Sequence, residues 1–283
     1  MNGVELLEFL EVEATRFLKD DQCNLMKGDW GDERIWETPL LGAARGCDAI
    51  FETFKDKVDE RHWTPTEAFA AGGFQAGAEE LSVVSWVLPH TSVTKKDNAQ
   101  CDEMPSERWA RSRIFGEKAN FKLRGHIVSS LKNAGYEAVA PLDLADWKWL
   151  KSDRYVYACS WSERHIAYAC GLGTFGLSGG LITPLGKAIR VSSVVLRGNV
   201  EPTPRPYSRH DEYCPFKTKK ICGVCIKRCP AGALSEHGIN KPLCKAYLSD
   251  KTAPYVETHY GFEGYGCGLC QTGVPCSSGI PAL

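Results

Sequence analysis

Val4, Leu7, Leu10, Ala14, Phe17 and Leu18 recur at helical spacing, and they predict an amphipathic helix over residues 4–18. The polar, glycine-containing stretch DDQCNLMKGDWGDE that follows reads as a loop, and a second helix is expected over about 40–57. LSVVSWVL at 81–88 is a short unbroken apolar run closed by Pro89, the pattern of a strand buried on both faces. After it, HTSVTKKDNAQCDEMP is polar and without period, and reads as a loop; His90 at its start reads as a structural histidine at a strand end. Helical periodicity returns from Ser106 to Asn133 and stops at Gly135.

The second half predicts shorter pieces. YEAVA at 136–140 and RYVYACS at 154–160 read as strands. Ser160, three residues before Glu163, predicts a capping box opening a helix that ends at Gly171. LITPLGKAIRVSSVVL predicts a hairpin turning through Pro184-Leu185-Gly186-Lys187. Pro202, Pro204 and Pro206 mark a linker, dividing the chain into 1–205 and 206–283. Strands and helices mix without strict alternation, which favours an α+β core with an antiparallel or mixed sheet over a doubly wound one.

Composition adds limits. The formal net charge is -1 and the hydrophobic fraction 43%, which argues for an ordinary globular chain and against a general nucleic-acid binder. No N-terminal apolar segment, twin-arginine signal or bilayer-length apolar run is present, so a cytoplasmic, reducing compartment and no membrane partner are expected.

The cysteines carry the chemistry. Eight of the 13 fall between Cys214 and Cys276. Cys222, Cys225 and Cys229, followed by Pro230, reproduce most of the ferredoxin run C-x2-C-x2-C-x3-C-P, with Cys214 standing in for the first position, which is Lys219 here. Cys244, Cys267, Cys270 and Cys276 complete eight thiolates, the number that two 4Fe-4S clusters require. In the crossed pattern of two-cluster ferredoxins, Cys214, Cys222, Cys225 and Cys276 hold one cluster, and Cys229, Cys244, Cys267 and Cys270 the other. A zinc ribbon on the two C-x2-C pairs is the alternative, though it leaves four cysteines unused. Cys23, Cys47, Cys101, Cys159 and Cys170 read as small buried hydrophobes, with a ligand role as the alternative for Cys159 and Cys170.

GLGTFGLSGG at 171–180 places five glycines directly after a helix, so backbone approaches something closely there. It is neither a dinucleotide fingerprint, which links strand to helix, nor a P-loop. From SERHIAYACGLGTFG through the hairpin to CPAGAL and GCGLCQ, about 120 residues resemble the epoxyqueuosine reductases, which are related in their core to reductive dehalogenases. The resemblance implies a nitroreductase-like α+β core that binds base-off cobalamin, followed by a small bacterial ferredoxin-like domain with two 4Fe-4S clusters. It implies a ferredoxin or flavodoxin as electron donor. By position, Gly171, Gly173, Thr174, Gly176, Ser178, Thr183 and Lys187 would line the corrinoid.

The resemblance also sets candidate catalytic residues. Tyr157 falls where the family has a proton-donating aspartate, and Arg164 belongs to its (E/D)R pair. A phenol donates best beside a cation, for which Arg154, Arg164 and Lys187 are the candidates. Two departures, the wider Cys270-x5-Cys276 spacing and a chain ending seven residues after Cys276, point away from transfer RNA. The leading expectation is therefore a cobalamin-dependent iron-sulphur reductase of a small organic substrate. The alternatives are a tRNA epoxyqueuosine reductase and a non-catalytic electron carrier or corrinoid activator.

Overall fold

The computed structural model describes residues 1–153 and 155–282. The chain opens with α1 (Gly3–Asp20), whose capping box pairs Asn2 with Glu5. Then come β1 (Leu40–Arg45), α2 (Ile50–Lys57), α3 (Pro65–Ala71), β2 (Leu81–Pro89), α4 (Ser92–Ala99) and the long α5 (Glu107–Asn133). After β3 (Ala138–Val139), a hairpin of β4 (Trp149–Ser152) and β5 (Val156–Cys159) leads into α6 (Glu163–Ala169). The short pair β6 (Thr174–Phe175) and β7 (Leu181–Ile182) precedes the central strand β8 (Ile189–Arg197). Beyond the proline linker lie α7 (Pro215–Lys219), α8 (Val224–Lys227), the hairpin of β9 (Leu234–Ser235) and β10 (Gly238–Ile239), α9 (Lys241–Tyr247) and α10 (Ala253–Tyr260).

Four strands make the main sheet in the order β1-β2-β8-β3, every neighbour antiparallel. All nine residues of β2 are buried, because both faces of the sheet are covered. Val84, Trp86 and Leu88 pack with Leu6 and Leu10 of α1 and Leu123 and Ile127 of α5. Val83 and Val87 face Phe51 and Phe54 of α2, Phe69 of α3 and Trp161 and Ile166 around α6. The alternation of β2 thus feeds two apolar layers. The α+β expectation and its antiparallel sheet are observed. Among the described residues, no helix is long and apolar enough to cross a membrane.

Several local expectations are corrected. Residues 40–57 split into β1 and α2, because Leu40–Arg45 pairs along β2 in full register and Asp48 turns the chain by accepting from the Ile50 N–H. The polar stretch after Pro89 contains α4, capped by Thr91. The Ser160 capping box does not form: its hydroxyl accepts from Lys148 N at 2.9 Å, and α6 starts after Ser162. The predicted hairpin keeps its turn, closed by the Thr183–Gly186 bridge, but its arms part. β7 pairs with β6, while β8 enters the main sheet.

The cysteine-rich part is built differently. Its apolar cluster is small: Leu177, Ile182, Phe216, Leu234 and Val274, together with Cys214 and Cys225.

Candidate functional site

The eight cysteines are carried by short elements and turns. Cys214 caps α7 ahead of Pro215, Cys225 lies in α8, Cys229 follows it, and Cys244 lies in α9. Cys267, Cys270 and Cys276 lie on the irregular segment after α10. They stand around two cavities. One, of about 20 Å³, is lined by Cys214, Cys222, Cys225 and Cys276 with Lys187, Phe216 and Ile182. The other, of about 150 Å³, is lined by Cys229, Cys244, Cys267 and Cys270 with His90, Trp109, Arg190 and Tyr247. These foursomes are the two crossed sets.

Burial, with the neighbouring Cys270, Cys276 and Cys214, pushes Cys225 up to about 11 against the pull of Lys187. Burial likewise pushes Cys267 up to about 12, with Cys270, Cys244 and Cys229 adding to it. These two thiols therefore favour the neutral form, and a positive centre among the sulphurs would favour the thiolate. Among the described residues, no three Cys, His, Asp or Glu side chains close around a single metal ion.

Lys187 bridges the two sets. It is 2% exposed, its Nζ donates to Ser178 Oγ at 3.2 Å, and its backbone N–H donates to Cys276 O at 2.8 Å. Burial opposes the ammonium, yet Cys276, Cys270 and Cys225 together hold it above the ordinary lysine value.

The glycine loop has internal work. A Cβ on Gly171 would lie 2.7 Å from Pro204 O, and one on Gly173 2.1 Å from Ile182 O, at φ of 80° and 157°. Both glycines let the loop close against the linker and β7. Gly176 packs on the Ile182 side chain. Thr174 is fully buried and accepts from Tyr213 N at 2.8 Å, and Thr183 donates to Gly186 O at 2.8 Å. Of the seven positions expected to line a corrinoid, Gly176 and Lys187 face the smaller cysteine cavity, with Ser178 hydrogen-bonded to Lys187.

The larger cavity reaches the edge of β8, where Ile189 and Arg190 line it. β3 covers the outer edge of β8 only at Val195 and Leu196, and Ile189, Arg190 and Val191 remain partly accessible although the strand is central. Arg190 Nε sits 3.0 Å from Glu117 Oε2, and Arg124 Nη2 sits 2.6 Å from Asp143 Oδ1. Across from them, Ser193 Oγ donates to Glu163 Oε2 at 2.6 Å and receives Trp161 Nε1 at 2.9 Å. Glu163 Oε1 is buried without a partner. Burial pushes this carboxyl up to about 8, the Ser193 hydrogen bond holding it back. Arg164 is solvent-reachable, yet burial among protein atoms pulls its guanidinium below the usual value. Its Nη1 donates to Gly179 O.

Tyr157 is tied to the cysteine-rich part. Lys241 Nζ donates to the Tyr155 and Tyr157 carbonyls at 3.1 and 2.9 Å, and Lys245 Nζ lies 5.1 Å over the Tyr157 ring. Among the described residues the cation over this ring is Lys245, while Arg164 and Lys187 are engaged elsewhere; Arg154 lies outside the described residues. His90 is held between Trp36 and Trp109, each ring 4.4 Å away, with Nδ1 3.0 Å from Ser112 Oγ. Its structural role matches the expectation, though it also walls the larger cavity.

Residues the sequence reading passed over complete the picture. Buried Asn98 of α4 donates to Cys267 O at 3.1 Å and Thr272 Oγ1 at 2.9 Å. Arg228 donates to the Leu269, Thr272 and Cys101 carbonyls. A Cβ on Gly268 would sit 2.0 Å from the Trp109 indole, so the loop carrying Cys267 and Cys270 is pressed onto α5. The one available signal was Arg228 itself, a cation between two of the candidate cysteines, Cys225 and Cys229.

No protein-family model matches the chain. A curated relative, the epoxyqueuosine reductase of Staphylococcus aureus strain NCTC 8325, is 26% identical over 248 residues, covering 83% of this chain and 62% of the relative. This chain therefore spans less than two thirds of that relative's length. Among solved structures, epoxyqueuosine reductase from Streptococcus thermophilus aligns with a TM-score of 0.50 at 12% identity, over 96% of this chain and 67% of that one. A reductive dehalogenase structure described in terms of B12-dependent dehalogenation aligns with a TM-score of 0.51 at 11% identity, over 86% and 30%. These two likenesses establish a shared fold.

Proposed function

We propose that this chain, whose resemblance to the epoxyqueuosine reductases is borne out by its curated relative and shared fold, is an iron-sulphur reductase of that kind. The reading rests above all on one observation: eight cysteines divide into two foursomes around two cavities, the larger of which is also lined by Arg113 and Arg190. Cys214, Cys222, Cys225 and Cys276 would hold one 4Fe-4S cluster, and Cys229, Cys244, Cys267 and Cys270 the other. Foursomes around cavities, rather than ligands closed on one ion, suit multi-atom clusters better than the zinc ribbon.

The edge of β8 at Ile189, Arg190 and Val191 is the place for a corrinoid. Around this edge of β8 lie the Arg190–Glu117 pair on the α5 side of the sheet and Glu163 Oε1 with Arg164 on the α6 side, polar groups that would suit the amide-fringed edge of such a ring. Cobalamin bound there would supply a strongly reducing cobalt centre. The chain's own residues would orient it and hold protons: Glu163 keeps a protonated carboxyl near neutral pH, and Tyr157 offers a phenol beside Lys245. A ferredoxin or flavodoxin would deliver the electrons.

The curated relative makes epoxyqueuosine in transfer RNA the first substrate to test, ahead of the small organic substrate expected from the sequence. The second reading keeps one observation in its favour, a tyrosine where the family's aspartate is expected. Anaerobic protein should contain about eight irons and sulphides per chain and convert added cobalamin to a base-off spectrum. It should then reduce an epoxyqueuosine-containing stem-loop with a low-potential donor. Clusters and corrinoid without epoxide reduction would shift the reading to the small substrate. Clusters without corrinoid uptake would leave an electron carrier, and zinc in place of iron would refute the proposal.

A further inference from the structure

Lys187 is the buried group that the proposed function leaves without a task. It lies in neither foursome: its side chain lines the smaller cavity with Cys214, Cys222, Cys225 and Cys276, and it is near enough to Cys270 of the other set to feel its charge. The structure holds it there firmly. Its backbone N–H donates to Cys276 O, and the following Ala188 N–H donates to Ser277 O at 3.3 Å, so the end of the β7–β8 turn is stitched to the last ligand. The side chain is threaded past Gly180, whose ideal Cβ position lies 3.1 Å from Lys187 Cγ, to reach Ser178 Oγ. At 2% exposure, the ammonium has little water to screen it.

We propose that Lys187 is a positioning charge between the two cluster sites, raising the reduction potential of the cluster on Cys214, Cys222, Cys225 and Cys276 so that it accepts the incoming electron first. The inference rests on the two-cluster reading above. The step is simple in its balance: a one-electron donor protein is oxidised, the cluster gains one electron, and no bond or proton changes place. Reduction adds negative charge to the cluster, and a fixed cation a few ångströms away stabilises that form more than the oxidised one.

The test is an EPR-monitored redox titration of anaerobically reconstituted protein, with the signal of this cluster assigned by its loss in Cys276→Ser. In Lys187→Met the reduction equilibrium of that cluster should fall by at least about tenfold, equivalent to 59 mV for a one-electron couple. Lys187→Gln should do the same, and Lys187→Arg should stay within about threefold of wild type. Loss of this cluster from Lys187→Met but not from Lys187→Arg would also support the charge. Unchanged midpoints in both neutral variants with full iron content would overturn the inference. Wild-type protein with fewer than about eight irons would instead overturn the two-cluster reading beneath it, which iron analysis reveals before any titration.

Discussion

The sheet core and the cysteine-rich part meet along one face but are held together by different means. The core buries Trp36, Trp86, Trp161, Phe51 and Phe69 in two layers on either side of a nine-residue strand. Its α1 and α3 are closed by capping boxes, and β2 is paired with β8 along its whole length. The cysteine-rich part has helices of four to eight residues and two-residue strands, and cysteines make up part of its small apolar cluster. A region that buries so little apolar surface is the kind that needs a bound metal to close it. The contrast teaches where folding energy can reside: in packed side chains on one side and, on the proposed reading, in cofactor ligation on the other.

The sharpest break of that contrast is to remove the iron. Chelation under reducing conditions should raise amide exchange across residues 214–276 by at least about a hundredfold while β2 and β8 keep their protection. Equal loss of protection in the sheet would show the two parts to be one cooperative unit. The converse is Leu123→Ala, which empties a fully buried position beneath Trp86. It should cost about 3 kcal/mol in denaturant unfolding of the core and leave the iron content unchanged.

How much of this was legible in the sequence follows the same division. The apolar run at 81–88 announced a doubly covered strand because both of its faces are apolar. The crossed cysteine spacing sorted the eight residues into the same two groups that line the two cavities, and their ligand role remains the proposal. Leu40–Arg45 did not announce a strand: its small residues have no clear period, and pairing with β2 decides its state. α4 escaped notice because its inward residues are polar: Thr94 is satisfied locally by Thr91, and Asn98 by Cys267 and Thr272 far along the chain. Glu163 was read as a cap. Its burial comes from Ser193 of the central strand, a contact at a separation that no local pattern reveals.

Glu163 also separates the two parts by pH. Its folded value of about 8 lies above the ordinary 4.5, so the folded chain holds a proton that the unfolded chain releases across that window. The associated stability is present below the ordinary value and is lost as pH rises towards 8. Discounted because Glu163 as a whole residue is only half-buried, the gain of Glu163→Gln over wild type should be about 2 kcal/mol at the upper end of the window and nothing at the lower. Thermal unfolding of the core at several pH values reads this directly. A parallel slope in both proteins would place the titration elsewhere.

The smallest effect tests the seam itself. Arg228 lies between Cys225 and Cys229 in sequence, yet its guanidinium reaches the Leu269 and Thr272 carbonyls at 3.1 and 2.8 Å and the Cys101 carbonyl at 3.0 Å. One cation thus gathers the loop bearing Cys267 and Cys270 and the segment after α4, using acceptors that no regular structure satisfies. Arg228→Ala should cost about 1 kcal/mol in global stability, because water can reach part of the vacated space. The larger consequence is kinetic. With the loop no longer tied down, the cluster on Cys229, Cys244, Cys267 and Cys270 should release iron to a chelator several times faster, while the other foursome, whose last ligand is stitched to Lys187, keeps its rate. Equal acceleration at both sites would mean that the two loops open together, and the seam would then belong to the cysteine-rich part as a whole rather than to one of its clusters.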